Sequence, residues 1–580
     1  MSLIRRYWQW MIVSAGAAAA IILGYWGLYE YFARIGQPRP FWDIGYSIVY
    51  LFVIESGEMA GPVPWQLAAA RWLAAGVAFW AVAKAGFVLY HERLQLARPA
   101  RWRGHVVICG LGRKGLKLAK EFRAAGWHVA AIERNPNNPY MASCRQLGVI
   151  VLVGDAAGSA LLTRAGAPRA KYVIAVTGDD GANVAAAIKL YRLTKNDKGR
   201  TSSRTTCIVH LVDLPLCELF KQHSIFRTDT DQFEVRVFNT YESAARILFA
   251  EHPLEGPGRD CSHKTPHLVV LGFAKMGQSV ALQAAKIAHY ASRIPLRITI
   301  VDRDAARLGN MFLGSYPHYP KICQVEFVNA EIGTAQCLAC VQEWAHEPEC
   351  CVTLAVCLDE ESECVSAAIR IAAYFRDNPA PLYVRMADTT GLAALFEDTQ
   401  GLSPWLHNLH PFGMISQTCR IATVIDGRLD VLAQAIHKAY TEEERKKGRS
   451  ALDAAMRPWA SLDPAFRDSN RQQADHIPVK LRAIDCLNVA KDTPAAAVTS
   501  FSPDDIEMMA KMEHARWNAE RFLAGWALGP RDPERRTSPY LVAWEDLPEQ
   551  IREYDRTTVR NIPALLEAIG EKIIRIDKSP

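Results

Sequence analysis

Concentrated positive charge is missing from this chain of 580 residues. Its formal net charge of +6 is spread over the whole length. No basic patch with interleaved aromatic side chains stands out, although such a patch is the usual mark of a nucleic-acid-binding surface. We therefore expect no nucleic acid among the partners.

A paired cysteine framework is missing as well. The fourteen cysteines lie after residue 103 without the spacing of a secreted disulfide scaffold, so we expect reduced thiols. One group invites a zinc interpretation: Cys337, Cys340, Cys350 and Cys351, with His346. The first pair falls on a predicted helix and the second opens a predicted strand, with no CxxC partner. Buried structural thiols are favoured, and no metal site is assigned.

Charge is absent from one long stretch near the start. The run from Tyr7 to Tyr29 has 23 uncharged residues, enough to cross a bilayer core of about 30 Å. A second stretch, residues 67–90, is also long enough and carries Arg71 and Lys84. Basic residues lie outside both stretches: Arg5, Arg6, Arg93, Arg98, Arg101 and Arg103.

The distribution of these arginines predicts two membrane spans with both termini in the cytoplasm. A cleaved signal peptide is the alternative for the first stretch, but a second span follows it. Membrane lipid is thus an expected partner, and the cell inner membrane is the expected location. Residues 33–65 are then outside or re-entrant.

The segment between the spans is apolar for an external loop. Residues 42–54 predict one helix that is too short to cross a bilayer and suits a re-entrant pore helix. The sequence Val53-Ile54-Glu55-Ser56-Gly57-Glu58 follows. This layout resembles the pore module of bacterial potassium channels with cytosolic gating domains, whose filter reads TVGYGD. Gly57 and Glu58 keep that pattern, whereas Glu55 and Ser56 replace Gly-Tyr.

The departure from the filter pattern implies a changed ion preference. In a tetramer Glu55 would form a ring of four carboxylates, which suits sodium, calcium or unselective cation passage rather than strict potassium selectivity. A plain hairpin that only anchors the protein is the alternative. Lys84 either reaches the cytosolic headgroups, the favoured interpretation, or faces the pore and repels cations.

A nucleotide-binding pattern follows the spans. The residues from His105 to Cys109 predict a buried strand, Gly110, Gly112 and Gly115 form a GxGxxG turn before a helix, and Glu133 ends the next strand. Glycines of this spacing let backbone approach a phosphate at a helix N-terminus, and the acid takes ribose hydroxyls.

Residues 104–255 resemble the regulator-of-potassium-conductance (RCK) domain family, through the order Cys-Gly-Leu-Gly, Glu133-Arg, Gly154-Asp155-Ala156 and Val176-Thr-Gly-Asp-Asp. The resemblance implies a Rossmann-like fold that binds a nucleotide and assembles into a ring. By motif match, the residues that contact the ligand are Gly110, Gly112, Gly115, Glu133 and Asp155, with Asp179 and Asn183 at the pocket edge. A degenerate pocket kept for folding is the alternative.

The pattern repeats over residues 264–445. Gly272 and Gly277 open a helix, and Asp302 ends the following strand. Ala274 replaces the middle glycine, and Asn329-Ala330 replaces the Gly-Asp-Ala element. The loss of that carboxylate favours a scaffolding role over a ligand site formed by Gly272, Gly277 and Asp302.

Residues 456–580 resemble the ryanodine-receptor repeat domain, and a mainly helical module is expected. The residues that carry the resemblance include His514-Ala-Arg-Trp517, Gly525-Trp526-Ala-Leu-Gly529 and Asp555-Arg556. A nucleotide could be held by stacking and by contacts to phosphate. The residues predicted for this role are Arg471, His514, Trp517, Trp526, Trp544 and Arg556. Tryptophans in the core and arginines in surface ion pairs are the favoured interpretation, and the ligand pocket is the alternative.

Together these patterns predict a mixed fold: a transmembrane pore module over residues 1–103, two tandem Rossmann-like α/β domains and the C-terminal module. The favoured function is a homotetrameric, ligand-gated cation channel whose eight nucleotide folds form a gating ring. NAD(H) or an adenine nucleotide is the expected regulatory ligand, with no catalytic cofactor and no enzyme activity. The alternatives are a membrane-anchored nucleotide sensor or defence effector without conduction, and an NAD-dependent oxidoreductase.

Overall fold

The computed structural model describes residues 2–53, 61–196, 204–213, 216–217, 219–220, 232–254, 264–292, 294–376, 380–387, 406–450 and 452–576. The chain divides into two compact units, residues 1–101 and residues 102–580.

The first unit holds three helices: α1 (Ser2–Arg34), α2 (Phe41–Val53) and α3 (Trp65–Ala97). Two stretches, Met11–Arg34 and Trp65–Phe87, are long and apolar enough to cross a membrane. They match the two predicted spans. The 13-residue α2 is too short to cross, as its sequence predicts, and its re-entrant placement stays a prediction. The predicted filter residues lie outside the described ranges: Glu55, Ser56, Gly57 and Glu58.

Small residues let α1 and α3 pack closely. A Cβ on Gly27 would lie 2.5 Å from the backbone nitrogen of Leu67, so the two backbones touch as they do in membrane helix pairs. Large apolar side chains point outward from the bundle. Trp72 exposes 82% of its surface and Phe79 exposes 75%. Such faces suit contact with lipid rather than with water.

Polar side chains of the first unit contact one another. Gln66 Nε2 donates a hydrogen bond of 3.0 Å to Glu30, and Glu30 also pairs with Arg34. The Lys84 ammonium lies 5.5 Å from the centroid of the Trp80 ring. These contacts lower the cost of placing polar groups among apolar helices. The orientation of Lys84 toward pore or lipid stays a prediction.

The first sheet of the second unit has six parallel strands in the order β3-β2-β1-β4-β5-β6. The order reverses between β1 and β4, and ligands of doubly wound sheets bind at the carboxyl ends of such strands. Its strands are β1 (Val106–Cys109), β2 (Val129–Glu133), β3 (Ile150–Val153), β4 (Tyr172–Ala175), β5 (Thr205–His210) and β6 (Phe233–Phe238). Its helices are α4 (Arg113–Ala124), α5 (Tyr140–Gln146), α6 (Ser159–Arg164), α7 (Asp180–Asn196) and α8 (Thr240–Glu251).

The second sheet repeats this arrangement. Its order β12-β11-β10-β7-β8-β9 is the same topology read from the other edge, and its pairings are also parallel. Its strands are β7 (Thr265–Leu271), β8 (Arg297–Asp302), β9 (Gln324–Asn329), β10 (Cys350–Val356), β11 (Leu382–Arg385) and β12 (Leu409–Phe412). Its helices are α9 (Lys275–Ile287), α10 (Ala305–Ser315), α11 (Ala335–Ala345) and α12 (Glu361–Ala372). The prediction of two tandem Rossmann-like folds is confirmed.

The chain after β12 returns to the first fold. Two short helices, α13 (Ile415–Thr418) and α14 (Ile421–Val424), precede α15 (Val431–Lys446). Cys419 and Val424 are buried in the same apolar cluster as Leu118 of α4. Glu121 of α4 also accepts a 2.8 Å hydrogen bond from the Ile421 backbone N–H. This crossing segment therefore packs against α4 of the first fold.

The C-terminal module combines helices with two small sheets. Ser502 caps α17 through a capping box with Asp505, which satisfies backbone N–H groups at the start of the helix. Strands β13 and β16 pair antiparallel, and β14 and β15 pair parallel. The elements are α16 (Pro464–Ala483), β13 (Cys486–Ala490), α17 (Pro503–Leu523), β14 (Ala527–Leu528), β15 (Thr537–Ser538), α18 (Glu549–Arg560), α19 (Ile562–Ala568) and β16 (Glu571–Arg575).

This module shares a hydrophobic core with the second fold. Val479 of α16 and Met512 of α17 are buried in the same cluster as Val280 of α9. A charged contact reaches the first fold as well, since Arg246 of α8 donates a 2.8 Å hydrogen bond to Asp475 of α16. The module is thus packed onto both Rossmann-like folds.

The cysteines agree only in part with the expectation of reduced thiols. Twelve of those in the described residues are free, and all but Cys340 are buried. Cys351 is disulfide-bonded, so the expectation is wrong at that position.

Candidate functional site

The turn between β1 and α4 uses its three glycines for three different reasons. Gly110 has a φ of +99°, and a Cβ there would lie 2.8 Å from Thr177. A Cβ on Gly115 would lie 2.0 Å from the Gly110 carbonyl oxygen, so the helix packs directly on the turn. A Cβ on Gly112 would have no neighbour within 4 Å. Because no side chain caps α4, its first N–H groups can receive an anion in that open space.

The second turn has the same geometry with one difference. Gly272 has a φ of +95°, and a Cβ on Gly277 would lie 2.1 Å from the Gly272 carbonyl oxygen. Ala274 stands at the N-cap of α9, where Gly112 stands before α4. Because the fingerprint places glycine where a phosphate approaches the backbone, Ala274 makes the second turn less suited to a phosphate.

In each fold, the acidic residue at the end of the second strand accepts hydrogen bonds that fix the glycine turn. Glu133 accepts 2.8 Å hydrogen bonds from the backbone N–H groups of Leu111 and Asn135. Asp302 accepts the equivalent pair at 2.8 and 2.9 Å. Each carboxylate oxygen retains a second lone pair that a ribose hydroxyl can use. Glu133 lines the cavity described below.

The other predicted residues of the first fold separate into two groups. Asp155 and Asp179 lie on the cavity wall. Asn183 is fully buried and does not line the cavity. Its side-chain oxygen accepts a 2.9 Å hydrogen bond from the Thr177 N–H, and its amide donates to the His210 carbonyl at 3.0 Å. Asn183 therefore links the backbone just after β4 to the end of β5 through hydrogen bonds. Gly115 is also absent from the wall.

A cavity of about 610 Å³ opens at the carboxyl edge of the first sheet. Its size is typical of small-molecule sites. One wall comes from the first turn and its neighbours. The opposite wall comes from α8, the second fold and the crossing segment. These wall residues are Tyr241, Met276, Arg385, Ala387, Gly413, Ile415 and Thr418.

Basic side chains converge on this cavity. Four of them line it: Arg113, Lys114, Arg134 and Arg385. The Lys114 ammonium lies 2.9 Å from Nε2 of His210. Burial, and then the charge of Lys114, lowers the pKa of His210 to about 3, so the imidazole is neutral and accepts that hydrogen bond. Burial also lowers the pKa of Lys114.

The second fold supplies one of these cations. Arg385 donates a 2.8 Å hydrogen bond to Asp359 and another to the Leu358 carbonyl. Its guanidinium carbon lies 5.7 Å from the centroid of the Tyr241 ring, and the Lys114 ammonium lies 5.6 Å from the same centroid. The Tyr241 ring thus lies close to two cations from different folds. The motif did not predict Lys114, Tyr241 or Arg385.

A second cavity of about 440 Å³ lies where the first fold, the crossing segment and α16 meet. Arg471 lines it, but pairs with Asp430 and donates a 2.8 Å hydrogen bond to Asp468. Arg246 pairs with the same Asp430 at 3.0 Å. Arg467, which also lines the cavity, donates through Nε to the Leu462 carbonyl. The cavity is therefore walled by an ion-pair network.

The remaining residues predicted for the C-terminal module lie together elsewhere. His514 Nε2 lies 2.8 Å from the Val542 carbonyl, and its ring stacks on Trp517 at 5.9 Å. Trp544 Nε1 and Arg556 both donate to Glu507, at 3.0 and 2.7 Å.

Trp526 belongs to a stack on the same module. The Arg521 guanidinium carbon lies 4.8 Å from the Trp526 ring centroid and 5.3 Å from that of Trp517. Neither of the two cavities is lined by Trp526, His514, Trp517, Trp544 or Arg556. Their contacts are made within the module, and Arg471 does not line a site with them.

Two stretches of the chain match family models. Residues 106–210 match the TrkA-N domain, and residues 492–575 match the RyR domain. These matches agree with the resemblances that the sequence shows over residues 104–255 and 456–580. Among curated proteins, "Potassium channel protein 1" of Methanocaldococcus jannaschii is 29% identical over 107 residues, which are 18% of this chain and 32% of that protein. An uncharacterized protein of Methanothermus fervidus is 29% identical over 126 residues, 19% of this chain and 20% of that protein. The chain thus spans a third or less of these relatives.

Among solved structures, GsuK with bound ADP is 14% identical, and the alignment covers 73% of this chain and 97% of that chain at a TM-score of 0.37. The GsuK channel bound to NAD is 12% identical, with 72% and 82% covered and a TM-score of 0.37.

Proposed function

We propose that this chain is the subunit of a ligand-gated cation channel of the inner membrane. A regulatory nucleotide binds the cavity of the first fold and changes the conductance of a pore formed by four subunits. The cavity carries this proposal, because an uncapped helix N-terminus beside Gly112 meets four basic side chains there. The two apolar helices, α1 and α3, supply the membrane part.

The ligand is an adenine nucleotide or dinucleotide, with NAD(H) as the dinucleotide. Lys114 and Arg134 lie on the same wall as the turn, so phosphate oxygens at the turn would gain charge-assisted hydrogen bonds. Glu133, at the end of β2, is placed to receive ribose hydroxyls. The ligand acts as an effector, and the chain is not an enzyme.

Nucleotide binding is coupled to the pore through the position of the first Rossmann-like fold relative to the second. Arg385 comes from the second fold and Lys114 from the first, yet both line one cavity. A phosphate between them would favour arrangements in which the folds stay close. A ligand shifts the channel only through such a difference in affinity between open and closed states.

Calorimetry on the full-length protein in detergent tests the ligand. We expect saturable binding of ADP, ATP, NAD+ or NADH, and weaker binding of inorganic phosphate alone. Absence of binding by all four nucleotides would overturn the assignment of the cavity.

A membrane-anchored nucleotide sensor without conduction is the second candidate. The replacement of Gly-Tyr by Glu55-Ser56 in the filter pattern favours it. This candidate predicts the same binding but no ion flux, so transport across liposome membranes separates the two.

A further inference from the structure

We propose that His267, Glu347 and Cys350 bind a zinc ion at the amino-end edge of the second sheet. One ligand atom from each of the three lies within 4.8 Å of the other two. Cys350 opens β10 and His267 is the third residue of the adjacent strand β7. Gly272 follows the opposite end of β7, so this site is separate from the nucleotide edge.

The Nδ1 atom of His267 is available to bind an ion, because it makes no hydrogen bond within the described residues. The side chain is 1% exposed, and its Nε2 lies 2.8 Å from the Thr299 hydroxyl oxygen. Its Nδ1 is buried without a hydrogen-bond partner among those residues. The neutral imidazole is the form that binds metals. A hydrogen bond from Nε2–H to Thr299 would fix the tautomer with its lone pair on Nδ1.

Cys350 and Glu347 supply the negative charge. Cys350 is a buried free thiol. A thiol binds zinc as the thiolate, so ion binding releases its proton to solvent. The resulting thiolate and the Glu347 carboxylate together balance a divalent cation.

Arg297 orients the Glu347 carboxylate. It donates 3.0 and 3.2 Å hydrogen bonds to the two Glu347 oxygens, and it also lies 3.8 Å from Glu326. Each Glu347 oxygen retains a lone pair for the ion. Because Glu326 balances the charge of Arg297, the carboxylate can bind the ion while it still accepts from the guanidinium.

The donor set identifies the ion as zinc rather than calcium or magnesium. Thiolate and imidazole are ligands that zinc prefers, whereas the hard cations take oxygen ligands. Ligands of a tetrahedral zinc lie about 3.3–3.8 Å apart, so small side-chain movements close the site. Glu347 retains 36% exposure, and water can fill the fourth position.

Two residues elsewhere in the chain, His105 and Cys340, serve as comparisons for this site. His105 stands just before β1 of the first fold and also has a buried Nδ1 without a partner among the described residues. However, no group of three potential ligands forms there in the part of the chain that the structure describes. Cys340, on α11, also lies outside the cluster. Sequence spacing groups Cys340 with Cys350 and passes over Glu347 between them; it also misses His267, which lies far earlier in the chain.

Metal analysis of the full-length protein tests the proposal. The protein is incubated with zinc in reducing buffer, desalted and analysed for metal by mass spectrometry. We expect about one zinc per chain in the wild type, and at least a tenfold loss in Cys350→Ser and His267→Gln. The matched controls, Cys340→Ser and His105→Gln, should keep their zinc. Cobalt should give a thiolate charge-transfer band in the wild type that is absent in Cys350→Ser.

Thermal unfolding and gel filtration establish that each variant is folded. If Cys350→Ser fails to fold, Glu347→Gln replaces it, because that change keeps the size of the side chain. Zinc retained by both His267→Gln and Cys350→Ser, or no zinc in the wild type, would overturn the proposal. So would equal loss of zinc from the controls.

Discussion

Gly112 and Ala274 hold the same position in two copies of one fold. The extended φ values of −71° and −72° at these N-caps suit any residue, so a methyl group is tolerated by the backbone in both copies. The difference concerns the ligand, because a phosphate must approach the backbone at this point. The turn of the first fold is therefore the better candidate for binding the nucleotide.

Gly112→Asp should abolish nucleotide binding to the first fold. The change places bulk and negative charge in the open space beside the turn, where no protein atom lies within 4 Å of the new Cβ. The fold should therefore tolerate it, and calorimetry should show at least a tenfold loss of affinity, about 1.4 kcal/mol. Ala274→Asp is the matched control and should bind as the wild type does. Equal affinity in both variants would move the ligand elsewhere.

Arg385→Ala should weaken binding although Arg385 belongs to the second fold. Hydrogen bonds to charged groups contribute about 1.5–3 kcal/mol, so we expect roughly a tenfold to hundredfold rise in Kd, with partial recovery in Arg385→Lys. Arg303→Ala, at an exposed position of the same fold, serves as the control. Unchanged affinity in Arg385→Ala would show that the ligand contacts the first fold alone.

The sequence predicts one half of this site and not the other. Gly110, Gly112 and Glu133 are close in sequence and follow a motif with a known backbone geometry, so the motif alone is enough to assign them. Tyr241 and Arg385 reach the cavity only because two sheets and a crossing segment pack together. No local pattern encodes that packing.

At the scale of elements, two buried histidines lie beside the hydrophobic contact between α9 and α16. His476 of α16 is fully buried, and its Nε2 lies 3.1 Å from the His289 carbonyl just after α9. Burial, followed by the charge of Lys480, lowers the pKa of His476 well below its ordinary value. Burial also lowers the pKa of His289 to about 4. Lys480 and Arg516 face these rings, and Glu513 pairs with both cations.

These pKa shifts predict that stability falls as the pH is lowered. In the unfolded chain a histidine takes up its proton near pH 6.5, whereas both folded-state pKa values are lower. The unfolded state therefore binds more protons between about pH 6.5 and pH 4, and each histidine removes about 1.4 kcal/mol of stability per pH unit in that window.

His476→Gln should make this dependence shallower. The thermal midpoint of the full-length protein, followed between pH 7 and pH 5, should fall less steeply in the variant than in the wild type. His346→Gln changes an exposed histidine and should leave the slope unchanged. Identical slopes in all three proteins would mean that His476 is not neutral in the folded state.

Regular elements are easier to predict than side-chain partners. The glycine turns and buried strands mark both Rossmann-like folds, because each strand is an apolar run between breakers. The C-terminal module shows the limit. Its sequence leaves Arg471 and Arg556 open between ion pairs, the favoured interpretation, and an anion site; the structure pairs them with Asp430 and Glu507. The local spacing of residues gives no information on ion-pair partners that come from distant segments of the chain.

At the scale of the whole molecule, one chain combines a unit of apolar helices with a unit of two Rossmann-like folds and a C-terminal module. Exposed apolar side chains such as Trp72 and Phe79 characterise the first unit. The cavity at the carboxyl edge of the first sheet characterises the second. The proposed conduction rests on the segment between α2 and α3, for which the prediction comes from the sequence alone.

Glu55→Gln should change ion passage through the assembled channel. A ring of four carboxylates attracts divalent cations, so the amide variant should pass less calcium, or be blocked less by it, in reconstituted liposomes. Nucleotide binding should be unaffected. A wild-type current with the same ion preference in the variant would contradict the filter assignment.

Ligand-dependent cation flux tests the proposed channel function most directly. The full-length protein is reconstituted into liposomes, and sodium, potassium and calcium flux is measured with and without the nucleotide that binds best. We predict a flux that changes with nucleotide in the wild type and in Ala274→Asp but no longer responds in Gly112→Asp. Nucleotide binding by the reconstituted protein without cation flux in either condition would contradict a channel function.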